Sequence, residues 1–245
     1  MPMNPRLLRP LGSAFNPKKL AGLALWLDAS DLSTITVDTG ASEWRDKSGV
    51  GSKKFVQATG NDQPATGTDT MNGLNVLRFD GSNDFMTATD PFMTGNGNGL
   101  PFSFFIVQRI MAATSFGMTY TTSNLFEFRQ NAGTGAMQVN ATSANTVHTF
   151  TGSSVGVDQI VTLMFPSGAT NNLFYERGTA QTLSGVADAK PATGTATHTI
   201  GRRTGGTLPA NVRVAEIIAY QALLTDSQRK AVEAYLSKKW GITVA

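Results

Sequence analysis

VRVAEIIAYQALLTDSQRKAVEAYLSKKWG, residues 212–241, holds a strand and a helix side by side. VRVAEIIAY (212–220) is rich in Val, Ile and Tyr and reads as a strand. From Thr225 the spacing changes: Val232, Tyr235, Leu236 and Trp240 recur at helical intervals on one face. Thr225 suits the N-cap, with Gln228 three residues later to close a capping box. Lys238 and Lys239 fall in the last turn, where they complement the helix dipole, and Gly241 supplies the stop. A helix over 226–240 follows, with its Trp240 stripe expected to pack against a sheet.

Upstream, short runs of strand character alternate with turn clusters. ALWLDA (24–29) sets Leu25 and Leu27 against Trp26, and NVLRFD (75–80) sets Leu77 and Phe79 against Val76 and Arg78. LFEFRQ (125–130) points Phe126 and Phe128 inward and Glu127 and Arg129 outward. SFFIVQRI (103–110) starts apolar on both faces, as a central, doubly covered strand does. TGNGNG, NAGTG, TGSSVG, PSGATNN and RTGG separate such runs and tolerate positive φ. Ten or more strands with one helix imply an all-β, two-sheet antiparallel jelly-roll sandwich. No fixed-period repeat argues for a propeller or β-helix.

A chain of 245 residues suits one large sandwich and folds without disulfides or metals. Cysteine is absent, which removes disulfides, thiolate zinc sites and cysteine nucleophiles. The formal charge is +3, yet Arg6, Arg9, Lys18 and Lys19 stand in an opening stretch without acids. Removing those four from the 20 basic residues leaves 16 against 17 acidic ones. The body thus offers no broad basic surface for nucleic acid. The longest early apolar run, AGLALWL (21–27), is too short to span a bilayer, and no small-residue cleavage site follows a core of signal-peptide length.

Residues 1–20 carry Pro2, Pro5, Pro10 and Pro17 and no apolar period. They read as an extended docking arm ahead of a domain over 21–245. Its contacts would come from Arg6, Leu7, Leu8, Arg9, Phe15, Lys18 and Lys19. The alternative is an arm folded back on its own domain.

Motifs for chemistry are few. VLRFDGSNDFM (76–86) puts Asp80 and Asp84 four apart, but an EF-hand register would need Gly and Glu where Phe85 and Pro91 stand. Two apolar strand ends around Asp-Gly-Ser-Asn read as a hairpin loop, with calcium at the loop rim as the alternative. GSSVG (152–156) mimics the hydrolase elbow around Ser154, yet a strand follows where that motif needs a helix. His148 and His198 lie on separate strands without metal-ligand spacing. Five glutamates, Glu43, Glu127, Glu176, Glu216 and Glu233, are never closer than seventeen residues, so a strand-borne glycosidase pair is missing. GNGNG (95–99) lacks a dinucleotide loop's spacing, so no cofactor is expected. The chain reads as non-enzymatic.

SEWRDKSG (42–49) admits two roles. Trp44 could stack on a pyranose while Arg45 and Asp46 take its hydroxyls, or Trp44 packs under a loop while its neighbours fix a turn. Together with GLALWLDASDLSTIT, LNVLRFDGSNDFM, LFYERG, THTIG and the strand–helix end, this phrase resembles the laminin-G-like jelly rolls of the concanavalin A-like lectin/glucanase superfamily. The resemblance covers about residues 20–243 and is specific at the two ends. It implies the two-sheet sandwich reached above. The Pro/Arg-rich leader looks like that of tailed-bacteriophage virion proteins, which implies a decoration, spike or tail subunit assembled in the host cytoplasm. Other virion proteins, and further copies of the chain, would then be its partners. The other expectation is a module that binds host-surface or extracellular glycans.

Overall fold

The computed structural model describes residues 15–89, 92, 101–112, 116–122, 126–134, 136–141, 146–149, 155–168, 171–183 and 196–245. In chain order the first strands are β1 (Leu23–Asp28), β2 (Ile35–Val37), β3 (Ala41–Arg45), β4 (Lys54–Val56), β5 (Thr70–Met71), β6 (Leu74–Asn75), β7 (Leu77–Asp80) and β8 (Met86–Thr89). Then come β9 (Phe102–Ile110), β10 (Gly117–Thr122), β11 (Phe126–Gln130), β12 (Met137–Ala141) and β13 (Thr146–Thr149). The last are β14 (Asp158–Phe165), β15 (Leu173–Glu176), β16 (Thr179–Ala180), β17 (Thr197–Ile200) and β18 (Asn211–Tyr220), followed by helix α1 (Asp226–Trp240).

They form the jelly-roll sandwich. One sheet runs β1-β18-β9-β14-β15-β16, with β7 also paired to β18; the other runs β13-β12-β11-β10-β17-β8-β4-β3-β2. All strand pairs within both sheets are antiparallel. Between the sheets lie Leu25, Leu27, Phe55, Leu77, Phe79, Phe104, Phe128 and Val161. A second apolar layer, with Trp26, Phe105, Val107, Ile218, Val232, Leu236 and Trp240, joins the seven-stranded sheet to α1. The apolar character of β9 on both faces follows: Phe104 and Ile106 face the other sheet, Phe105 and Val107 face the helix layer.

Helix α1 forms as its sequence requires. Thr225 accepts from the Gln228 N–H, the Gln228 side chain reaches back to the cap, and Gly241 closes the end at φ 68°. Val232 and Leu236 are fully buried, each worth about 1.5–3 kcal/mol by transfer from water. Less expected, Arg229 and Glu233 are buried as an ion pair. Thr162 Oγ1 donates to Glu233 at 2.7 Å, and the Arg229 guanidinium lies 3.8 Å from the Tyr175 ring centre.

Two expectations need correction. The 80–85 loop is a turn but not a hairpin: β7 pairs with β18 in one sheet, whereas β8 pairs with β17 and β4 in the other. The Asp-Gly-Ser-Asn run is therefore a corner where the chain crosses between sheets. Gly81 serves it at φ 81°, where a Cβ would stand 2.8 Å from the Asn211 Cβ. The arm, secondly, does not stay extended through residue 20. Pro17–Lys19 form a 3-10 turn capped by Asn16, Pro17 is buried, and the Phe15 ring packs 5.9 Å from Tyr235. The Tyr220 hydroxyl also donates to the Pro17 carbonyl at 3.1 Å. From Phe15 onward the chain is folded against its own helix layer.

Candidate functional site

The outer face of the nine-stranded sheet carries the polar surface. Register places Asn140, Glu127, Thr121, Thr199 and Thr87 side by side across five strands. Their strand neighbours Val139, Phe128, Tyr120, Ile200 and Met86 all point into the core, so the row faces outward by alternation.

A loop after β17 organises this face. Thr204 Oγ1 lies 3.2 Å from Thr121 Oγ1 and 3.1 Å from Thr199 Oγ1, and the Thr204 N–H donates to Thr121 Oγ1. The turn closes through Arg203 N–H to Thr207 O, with Gly205 and Gly206 at φ 99° and 93°. Only glycine adopts such angles without strain. So anchored, the loop brings Arg203 Nε within 2.7 Å of Glu127 Oε1. Glu127 Oε2 accepts from Arg129 Nη1 at 3.4 Å and from Asn140 Nδ2 at 3.2 Å. Arg129 Nε donates to Gln138 Oε1 at 3.1 Å, and Gln138 Nε2 to Thr149 Oγ1. The Arg129 guanidinium sits 5.1 Å from the Phe116 ring centre, and Phe116 is 36% exposed. Burial holds the Arg129 pKa below the usual arginine range; Glu127 opposes that shift and the nearby Arg203 adds to it. Aromatic surface beside planar hydrogen-bonding groups is the chemistry of sugar recognition.

The sites expected from sequence fall elsewhere. Trp44 is wholly buried between the sheets, so its indole has no face for a pyranose. Arg45 donates to Ser33 O and Thr36 Oγ1, while Asp46 Oδ1 accepts the Trp26 and Ser48 N–H groups. The segment SEWRDKSG thus fixes β1 and β2 to their neighbours. Asp80 Oδ1 accepts from the Ser82 and Asn83 N–H groups, and Asp84 Oδ2 from the Asp80 N–H at 2.9 Å. Both carboxylates are thereby used to shape the corner. Burial pushes the Asp84 pKa up to about 6, with Asp80 and Asp62 adding to the rise against the Asp80 N–H. Among the described residues no group of three His, Cys, Asp or Glu side chains could hold a metal.

Of the arm residues, Lys18 and Lys19 are exposed on the 3-10 turn and Phe15 is half-buried. Arg6, Leu7, Leu8 and Arg9 lie outside the described residues, as do Ser154 and residues 95–99. His198 is buried with Nδ1 2.6 Å from the Tyr120 hydroxyl, and burial pushes its pKa down to about 3. His148 occupies the register position opposite Val139.

A carboxylate pair distant in sequence comes together where Asp28 lies opposite Glu216 in the β1–β18 register. Lys239 Nζ bridges them at 2.7 and 2.8 Å. A bulge in β18 between Val214 and Glu216 turns Glu216 toward the helix layer. There it accepts from Trp26 Nε1, Trp240 Nε1 and the Tyr235 hydroxyl at 2.7, 2.7 and 2.9 Å. Burial pushes the Glu216 pKa upward against the pull of Lys239. Both carboxylates are sealed from solvent, so this pair clamps α1 to the sheet and reaches no substrate.

The Glu127 site had one sequence signal, the outward Glu127 and Arg129 of LFEFRQ. Nothing in sequence joins these to Phe116, Gln138, Asn140 or the turn residue Arg203.

No protein-family model and no curated protein sequence matches the chain. Solved structures do match in fold. Trypanosoma rangeli sialidase in complex with the inhibitor DANA superposes with TM-score 0.61 at 14% identity, over 92% of this chain and 34% of that one. The botulinum neurotoxin serotype D ligand binding domain, in complex with N-acetylneuraminic acid, gives 0.61 at 10% identity, over 89% and 52%. The binding domain of Paraclostridial Mosquitocidal Protein 1 gives 0.64 at 10% identity, over 91% and 53%. The chain thus spans about a third to a half of those structures.

Proposed function

We propose that the chain is a non-enzymatic carbohydrate-binding module whose binding surface is the outer face of the nine-stranded sheet. The observation that carries this reading is the Glu127-centred cluster of Arg129, Arg203, Gln138 and Asn140, in which the Arg129 guanidinium also lies beside the exposed ring of Phe116. Flat polar side chains give direction to hydroxyls, and the ring supplies an apolar face for sugar C–H groups. The fold's likeness to a toxin ligand binding domain solved with N-acetylneuraminic acid supports it. The test is a glycan array probed with the wild-type chain and with Phe116→Ala, a change at a surface position that spares the core. Retention of wild type on a subset of glycans, weakened roughly tenfold by the substitution, is expected. No retention on any glycan, or retention indifferent to Phe116→Ala, refutes the reading.

A second reading places this module on a phage particle, docked by its leader onto other virion proteins in a homo-oligomeric array. It draws on the leader's resemblance and on an apolar groove of about 550 Å³ where the leader meets α1, lined by Phe15, Ala231, Ala234, Tyr235, Lys238 and Lys239. Quantitative mass spectrometry of purified particles tests it: a fixed copy number per particle supports it and absence overturns it.

A further inference from the structure

We propose that the ligand of this face is an acidic sugar, one carrying a carboxylate; the inference rests on the glycan-binding reading above. Charge is the first ground. Two guanidinium groups, Arg129 and Arg203, share the single carboxylate of Glu127. The side chains of Arg129 and Glu127 are only 17% and 7% exposed, so water screens this local surplus of one positive charge poorly. A half-buried cation without its own counter-ion is a costly arrangement that a bound anion relieves.

Donor and acceptor accounting is the second ground, and it is independent of net charge. Glu127 Oε1 is taken by Arg203, and Oε2 by Arg129 and Asn140. Gln138 Oε1 is taken by Arg129 Nε. Each oxygen of Glu127 and the amide oxygen of Gln138 thus already serves a donor within the protein. Donors remain: Arg129 Nη2, and both Nη groups of Arg203, have no partner among the described residues. Arg203 is 44% exposed, so its free edge is open to a ligand. A neutral sugar brings hydroxyl donors along with its acceptors, and those donors would compete with Arg129, Arg203 and Asn140 for the same oxygens. A carboxylate brings acceptors alone, in the two-oxygen geometry that a guanidinium fork matches.

The test compares an acidic polysaccharide with the same polymer after reduction of its carboxyls to alcohols. One pair ends in glucuronic acid and another in N-acetylneuraminic acid, so that the two sources of a sugar carboxylate are told apart. Affinity is measured for the wild-type chain and for Arg203→Gln, an exposed turn position whose change leaves the core intact. The wild type is expected to prefer at least one acidic form by roughly tenfold or more. Arg203→Gln is expected to abolish that preference and leave residual binding to the reduced polymer. Equal affinity for the acidic and reduced forms overturns the acidic-sugar inference and leaves the glycan reading standing. Binding to neither form of either polymer overturns both. A preference that survives Arg203→Gln overturns the assignment to this cluster.

Discussion

Replacing Glu216 with Gln tests the clamp that holds the closing helix. The substitution keeps shape and volume, removes the charge, and turns one acceptor oxygen into a donor. Four donors converge on the carboxylate: Trp26 Nε1, Tyr235 Oη, Lys239 Nζ and Trp240 Nε1. Whichever way the amide faces, two of them meet an N–H₂ instead of an oxygen. Each buried donor left unsatisfied costs about 1–3 kcal/mol. Lys239 keeps Asp28 as a partner at 2.7 Å, which offsets part of the lost ion pair. The expected loss is about 3–5 kcal/mol, which for a domain of this size lowers Tm by roughly 6–20 °C. Urea unfolding followed by tryptophan emission and by far-UV circular dichroism measures it, since Trp26 and Trp240 both bond to this carboxylate. A loss below about 1 kcal/mol would show that α1 is held by apolar contact alone and would refute the clamp.

Asp84→Asn should leave the sheet-crossing corner intact, because an amide oxygen can still accept the Asp80 N–H. Burial raises the wild-type carboxyl from its ordinary 3.8 in the unfolded chain to about 6 when folded, so its contribution is fully present below about pH 4 and is lost as pH rises through 6. The stability of Asp84→Asn relative to wild type should therefore grow between pH 4 and 6.5 by about 1–3 kcal/mol and then level off. A difference flat across that range refutes the assignment. Trp44→Ala should cost about 3–5 kcal/mol in denaturant unfolding, as the loss of a buried indole does. Glycan retention per folded molecule should not change; a selective loss of retention at normal stability would restore Trp44 to the binding surface.

Sequence alone carried the class of the fold, because alternation and capping are local. Phe126 and Phe128 against Glu127 and Arg129 declare a half-buried strand wherever it sits in a sheet. Thr225, Gln228 and Gly241 delimit α1 through bonds within a few residues of each other. Pairing is not local, and there the tertiary structure decided. The segment after Phe79 has hairpin composition, yet it spans two sheets because β7 and β8 find partners more than a hundred residues downstream. A single bulge in β18 reversed the face of Glu216, which strict alternation would have aimed between the sheets with Val212 and Val214. SEWRDKSG drew attention as a sugar platform because its side chains suit one; Trp44 went to the core because alternation from Arg45 leaves it inward in β3. The Glu127 cluster is joined only by the order β12-β11-β10-β17 and by a turn laid over two threonines. Local rules write the elements into the chain, while burial of their apolar faces against distant partners chooses which polar side chains meet.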